Sequence, residues 1–112
     1  MISALVLPYF SKYIDKTNEK QQLVTVLTAV SDLRKNAISY MAVGEIDTVG
    51  HDLVLFLDNR EIKRITLPEP PIINHVIYFN RYGMASGGEI LVKFKRLYKI
   101  EIEEASGKMT VF

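Results

Sequence analysis

Hydrophobic and polar residues follow two different patterns along this chain, and the change falls near Gly44. Between Tyr9 and about Met41, apolar residues recur three and four positions apart, with no glycine or proline among them. This spacing places apolar side chains on one face of a helix. After Gly44, apolar residues alternate with polar ones or form short runs, which is typical of strands. The pattern predicts one long helix followed by an antiparallel sheet.

The predicted helix carries two apolar stripes. The first consists of Phe10, Tyr13, Ile14 and Thr17, and the second of Leu23, Val26, Leu27, Val30, Leu33, Ala37 and Met41. In a straight helix their centres differ by roughly 130° around the axis, so one helix would offer two faces to two partners. The alternative is a break in which Asn18 and Gln21 form a capping box. We favour a continuous helix.

The second half of the chain reads as a series of short strands. The segment "DLVLFLDNREIKRITL" predicts a hairpin that turns at Asp58 and Asn59, and "PEPP" predicts a loop leading to "HVIYF". The segments "EILVKFK", "YKIEIE" and "MTVF" predict a closing meander. We therefore expect an α+β fold, a long N-terminal helix packed on an antiparallel β-sheet of about five to six strands. The single domain would span 1–112, with the helix at 9–43 and the β part at 51–112.

Composition narrows the classes of function. The 112 residues include 14 basic and 13 acidic side chains, so the net charge of +1 gives no overall attraction to nucleic acid. The lack of cysteine excludes disulfides and thiolate chemistry. The apolar run from Ile2 to Leu7 is too short to cross a bilayer, which takes about 20 residues.

Few segments suggest chemistry. The glycine-rich "GMASGGE" lacks the lysine of a nucleotide P-loop and is interpreted as a turn. His51 and His75 are the only histidines, too few for a zinc site without cysteine. We predict no catalytic residues, no metal site and no cofactor.

Charged residues are concentrated near the C-terminal end of the sequence. Glu101, Glu103 and Glu104 follow a group of four basic residues, Lys93, Lys95, Arg96 and Lys99. Strand alternation favours a solvated sheet face on which opposite charges form cross-strand pairs. The alternative is a nucleic-acid patch with Phe94 and Tyr98 available for stacking.

The order of these segments resembles that of the type IV pilin superfamily. The resemblance rests on "ALVLPYF", the helical "LVTVLTAVSDLRKNAISYM", and a β half with "VIYFNRYGMASGGEILV" and "YKIEIEEASGKMTVF". Arg34, Ala37 and Ile38 match the family's arginine and alanine-isoleucine spacing. Within the family, the chain is most similar to the H-type minor pseudopilins of type II secretion, which implies a pilin-like fold over the whole chain.

The resemblance also implies a beginning that this sequence lacks. Family members start with a cleaved leader and an apolar membrane helix, of which residues 1–8 would be the remnant, with Met1 an added start residue. An in-frame leader is therefore expected upstream of Ile2. The family's subunits are held in the inner membrane with the β domain in the periplasm, and are then stacked into a filament.

The implied role is that of a structural subunit at or near the tip of the secretion pseudopilus. Its implied partners are other pseudopilins or minor pilins, the outer-membrane secretin or a secreted substrate, and the membrane through the missing helix. The alternative role is a minor pilin of pilus biogenesis or DNA uptake, although nucleic acid is the less favoured partner.

Three sets of residues follow as candidate sites. The helix assembly face would consist of Leu5, Leu7, Pro8, Phe10, Tyr13 and Ile14. The candidate partner-contact loop contains Arg81, Tyr82 and Met84, which are residue types common at interfaces. The alternative DNA-contact patch is formed by Lys93, Lys95, Arg96 and Lys99.

Overall fold

The computed structural model describes the backbone of residues 11–112 and the side chains from residue 19 onward. This part of the chain forms one long helix followed by eight strands. They are α1 (Ser11–Ser39), β1 (Gly44–Val49), β2 (Asp52–Leu57), β3 (Arg60–Thr66), β4 (Ile72–Ile73), β5 (Ile77–Phe79), β6 (Gly88–Lys93), β7 (Leu97–Ile102) and β8 (Met109–Val111).

Helix α1 is continuous from Ser11 to Ser39, so the predicted alternative of a break near Asn18 does not occur. Its second stripe is buried at Val26, Val30, Leu33 and Ala37. Met41 does not belong to that stripe, because it lies beyond the helix and is 68% exposed. Its φ of 52° and the hydrogen bond from Ala42 N to Ala37 O form a left-handed helix cap.

The strands form two sheets, which corrects the expectation of a helix packed on a single sheet of five to six strands. Sheet one has the order β3-β2-β1-β5 and sheet two the order β4-β6-β7-β8, each with four strands. Every neighbouring pair is antiparallel. Residues 11–112 therefore form a mostly β fold with one helix.

Two features of the chain made this division hard to predict. Strand β1, with the sequence "GEIDTV", precedes the predicted start of the β part at residue 51. Strand β5 pairs with β1, which lies about 30 residues earlier, and not with β6, which follows it. Such long-range pairing carries no local sequence signal, so the meander prediction merged two sheets into one.

The predicted hairpin between β2 and β3 is confirmed. Asp58 and Asn59 both adopt positive φ, at 48° and 65°, as a tight two-residue hairpin turn requires. The Asp58 carboxylate also accepts a hydrogen bond of 2.9 Å from the backbone N–H of Val43. This bond ties the tip of the hairpin to the segment that leaves α1.

A single hydrophobic core lies between α1 and the two sheets. The helix contributes its buried stripe and contacts β1, β2 and β5. The fully buried residues of sheet one include Ile46, Leu53, Leu55, Ile77 and Phe79, and those of sheet two are Ile90, Val92 and Ile100. Single bridges from Phe79 to Ala85 and from Ala85 to Ala105 connect the sheets beyond their named strands.

Candidate interaction surfaces

The helix assembly face falls mostly outside the described residues. Leu5, Leu7, Pro8 and Phe10 precede Ser11, and Tyr13 and Ile14 lie in α1 but their side chains are not described. Whether α1 presents two different faces therefore stays a prediction. The other two candidate sites lie wholly in the described part of the chain.

The candidate partner-contact loop, residues 80–84, is held in one conformation by Asn80. The side-chain oxygen of Asn80 accepts hydrogen bonds from the backbone N–H groups of Tyr82 and Met84, at 2.9 and 3.0 Å. The Asn80 backbone N–H donates to the Met84 carbonyl, and Gly83 donates to the Asn80 carbonyl. We call this segment the Asn80 loop. Its backbone is ordered by its own hydrogen bonds, so its side chains are presented without further folding.

The Asn80 loop exposes the residues that the sequence predicted. The side chains of Tyr82 and Met84 are 76% and 50% exposed, and Arg81 is exposed as well. An exposed tyrosine and methionine on an ordered backbone are favourable for a contact with another protein, because little conformational entropy is lost on binding.

The C-terminal end of α1 contacts the Asn80 loop. Arg34 Nε–H donates a 2.8 Å hydrogen bond to the Gly83 carbonyl. Gly83 has φ +79°, which favours glycine, and a Cβ there would lie 2.6 Å from Ile38 Cδ1, so a side chain at this position would have to displace that of Ile38. Ile38 is 43% exposed and extends the apolar surface of the loop.

The second site is the turn between β6 and β7, residues 93–97, which we call the basic turn. It contains Lys93, Lys95 and Arg96, all exposed, together with Leu97, which is 61% exposed. The Glu19 carboxylate of α1 accepts hydrogen bonds from the backbone N–H groups of Lys95 and Arg96, at 3.1 and 3.3 Å. Glu19 is only 8% exposed, so a buried carboxylate fixes the turn against the helix.

Sequence reasoning missed Glu19. The available signal was its position four residues before Leu23, on the same helix face as the buried stripe. An acidic residue at an apolar position of a helix indicates a specific partner, because an unpaired buried charge is costly. The identity of that partner could not be predicted, because the basic turn lies 76 residues later in the sequence.

The four basic residues of the alternative DNA-contact patch are not equivalent. Lys99 Nζ lies 3.6 Å from a Glu89 oxygen and 3.4 Å from a Glu101 oxygen, and 5.0 Å from the centre of the Phe112 ring. Glu89 and Glu101 are directly opposite each other in the β6–β7 register, and the predicted cross-strand pair of opposite charges forms on the diagonal, between Lys99 of β7 and Glu89 of β6. Lys99 thus compensates two facing carboxylates, and the remaining three residues belong to the basic turn.

The aromatic residues near this patch face the core. Phe94 and Tyr98 are partly buried against the core, with ring centres 6.0 Å apart. The Arg96 guanidinium lies 5.5 Å from the Tyr98 ring and donates a 2.9 Å hydrogen bond to its hydroxyl. The rings expected for base stacking are therefore already engaged within the protein.

A groove of about 670 Å³ runs between α1 and the edge strand β3. Val24, Ala29 and Leu33 line its helix side, and Leu55, Leu57 and Ile62 its sheet side. Ile62 lies where the register of β2 and β3 shifts, and charged residues surround it on β3. A bulge and charges of this kind protect an edge strand from pairing with another chain.

A polar cleft of about 540 Å³ lies beside sheet two. Its lining includes His75, Glu89, Glu101, Glu103 and Lys108. His75 Nδ1 lies 3.0 Å from the carbonyl of the next residue, Val76, and His51 Nδ1 lies 3.1 Å from the Leu67 carbonyl just after β3, so each histidine contacts a backbone carbonyl. Among the described residues, no three His, Cys, Asp or Glu side chains are arranged to hold a metal ion.

The chain matches no protein-family model, no curated protein and no solved structure. No helix within the described range combines the length and the apolar character needed to cross a membrane.

Proposed function

We propose that this protein is a minor pseudopilin, a structural subunit at or near the tip of a type II secretion pseudopilus that takes part in protein secretion across the outer membrane. Before assembly, an N-terminal apolar helix would hold it in the inner membrane with the β domain in the periplasm. The proposal follows the resemblance in the sequence and assigns the chain a role in assembly.

The length of α1 carries the proposal. A helix of 29 residues is about 44 Å long. The protein measures 45 × 28 × 24 Å, so α1 spans its longest dimension and exceeds both of the others. A helix that served only to cover a sheet of six-residue strands, about 20 Å long, would need roughly half this length. The excess supports a second task for the helix, which in a filament is contact with neighbouring subunits.

The Asn80 loop supplies the second part of the argument. Stacked subunits need contacts between their β domains that set their order. Burial of an apolar helix face stabilises the association but does not select a particular neighbour or orientation. The loop offers Tyr82 and Met84 on a fixed backbone, and Ile38 lies against its glycine. We assign this surface to the neighbouring subunit.

Cysteine crosslinking tests the assignment, because the chain has no cysteine of its own. Tyr82→Cys would be expressed together with the pilin-like subunits of the same secretion system, each carrying single cysteines on its β domain. Glu69→Cys, in the exposed loop before β4, is the matched control. We expect Tyr82→Cys to give a disulfide with one particular subunit and Glu69→Cys to give none.

Two results would overturn the proposed function. One is the absence of any crosslink from Tyr82→Cys to a pilin-like subunit while the variant remains folded. The other is a gene in which no in-frame leader and apolar segment precede Ile2.

A further inference from the structure

The basic turn combines two kinds of exposed side chain that the filament role does not use. Lys93 and Arg96 flank Leu97, no acidic residue occurs from 93 to 97, and the Glu19 carboxylate that holds the turn is buried. Lys93 and Leu97 face each other across the hairpin. Burial alternates along β7, with Ile100 and Ile102 inside, so Leu97 points away from the core. The protein therefore exposes a leucine in the middle of a cationic tip.

We propose that the basic turn binds an anionic phospholipid surface, with Lys93 and Arg96 at the headgroups and Leu97 entering the headgroup layer. Clustered Lys and Arg are attracted to anionic lipids, and an apolar side chain between them adds burial in the interface. Because the net charge of the chain is only +1, the attraction must come from this local group.

The position of the turn supports a membrane as the occupant. Glu19 fixes the turn beside α1, and the helix begins at Ser11, which lies about 12 Å further along the axis. The turn and the N-terminal part of α1 are therefore at the same end of the molecule. A membrane entered by segments before Ser11 would lie on the side of the basic turn.

The same chemistry suits a nucleic-acid backbone less well. Single strands are held by stacking on exposed rings, but Phe94 and Tyr98 contact the core and each other. A phosphate backbone makes no use of an exposed leucine. Leu97 and the engaged rings therefore favour a lipid surface over DNA.

The argument from the position of the turn rests on the proposed function, which also makes the surface the periplasmic leaflet of the inner membrane, whereas the charges and the exposed leucine of the turn do not depend on it. Vesicle binding by the chain would be unaffected if the crosslinking experiment failed. Conversely, a failure to bind vesicles would leave the filament contact at Tyr82 intact.

The charge part of the test is co-sedimentation with vesicles. We expect the chain to bind vesicles of phosphatidylcholine mixed with phosphatidylglycerol, to bind phosphatidylcholine alone much more weakly, and to dissociate as salt is raised. Each basic residue near a charged surface contributes about fivefold in affinity, so Lys93→Gln with Arg96→Gln should lower it about 25-fold. Lys35→Gln with Lys63→Gln removes the same charge from exposed positions elsewhere and should have little effect.

The apolar part of the test uses Leu97. Leu97→Ser should weaken vesicle binding without changing the charge. Because the chain has no tryptophan, Leu97→Trp places a single reporter in the turn, whose emission should shift to the blue on binding. Tyr40→Trp, at a side chain that is 71% exposed just beyond the opposite end of α1, should not shift.

Three outcomes would overturn the inference. The first is a loss of vesicle binding in Lys93→Gln with Arg96→Gln no greater than in the charge-matched control. The second is full vesicle binding by Leu97→Ser. The third is salt-sensitive binding to duplex DNA through Lys93 and Arg96 without binding to vesicles, which would instead support the nucleic-acid alternative.

Discussion

The two halves of α1 are attached to the rest of the protein by opposite chemistry. Near Glu19, the helix provides an acceptor, a buried carboxylate that receives two backbone N–H groups of the basic turn. Near Arg34, the helix provides a donor, a guanidinium that bonds to the Gly83 carbonyl and lies against Gly107. Between them the stripe is purely apolar. An apolar stripe alone would let the helix slide along the sheets, so the two polar contacts set its position.

The largest expected effect tests whether the apolar middle supplies most of the stability. Leu33 has 0% exposure and packs against Gly44, where a Cβ would lie 3.0 Å from Leu33 Cγ. Leu33→Ala should lower the free energy of unfolding in urea by about 2–5 kcal/mol, through lost burial and the cavity left behind. Ile38→Ala, on the same helix at 43% exposure, should cost about 1 kcal/mol or less. If Leu33→Ala and Ile38→Ala lost equal free energy of unfolding, the buried stripe would not be the main source of stability.

The next effect concerns the acceptor near the start of α1. Glu19→Ala leaves two backbone N–H groups without their partner, and hydrogen bonds to a charged group contribute about 1.5–3 kcal/mol. Urea unfolding should therefore show a loss of that size. Glu19→Gln keeps an acceptor oxygen in place and should lose less. If both variants are as stable as the parent chain, the carboxylate does not hold the turn.

The donor near the end of α1, Arg34, should contribute somewhat less to stability than Glu19. Arg34→Ala removes one hydrogen bond and the stem that lies against Gly107, and should cost about 1–2 kcal/mol in the same measurement. Arg34→Lys keeps the charge and most of the stem but loses the Nε–H donor, so its stability should be intermediate. A Lys variant as stable as the parent would show that the stem and not the hydrogen bond is important.

A double variant then asks whether the two attachments are independent. Residues 19 and 34 are 15 positions apart, about 22 Å along the helix. Losses at such separated sites usually add within about 0.5 kcal/mol. Glu19→Ala with Arg34→Ala should therefore lose the sum of the two single losses. If the double variant loses clearly less free energy of unfolding than this sum, then breaking one contact of α1 already weakens the other.

The smallest effect concerns a partly exposed carboxylate, Asp52, in contrast to the buried Glu19. Hydrogen bonds from Thr66 and Arg64 hold the pKa of Asp52 below its ordinary value of 3.8, and Arg64 likewise lowers the pKa of Glu61. A lowered folded-state pKa stabilises the protein above the ordinary value, and that stability is lost as the pH falls through the folded value. Asp52→Asn should therefore be slightly less stable at neutral pH.

The unfolding free energies of Asp52→Asn and the parent chain should converge below about pH 4, as Asp52 becomes protonated in the parent. Glu69→Gln, in the loop before β4, is the control and should follow the parent at every pH. A difference between Asp52→Asn and the parent that persists unchanged in acid would contradict the assignment of the low pKa to Asp52.

Several elements were predictable because their signals are local. The spacing of Val26, Val30, Leu33 and Ala37 repeats with the helical period, and these residues are buried. Asp58 and Asn59 have short polar side chains that tolerate positive φ, and they form the turn of the predicted hairpin. The residues of the Asn80 loop were likewise identified as exposed and turn-forming from their types alone.

Other features were not predictable because they depend on residues far apart in the chain. The sequence suggested a uniform basic patch. In the structure, Lys99 forms ion pairs with Glu89 and Glu101, whereas Lys93 and Arg96 are exposed in the basic turn. This division follows from the β6–β7 register, which also places Phe94 and Tyr98 against the core. Periodicity indicates which side of a strand is buried, but not which strand lies beside it.

By itself, the sequence determined the helix, its buried face, the hairpin turn and most of the strands, because each depends on contacts within a few residues. Only the tertiary structure decided that the strands divide into two sheets, that Glu19 holds the basic turn, and that Arg34 supports the Asn80 loop. The physical reason is that backbone N–H and C=O groups are alike at every residue. A carboxylate or guanidinium on α1 can therefore select its backbone partner only once the fold has brought one particular loop within reach.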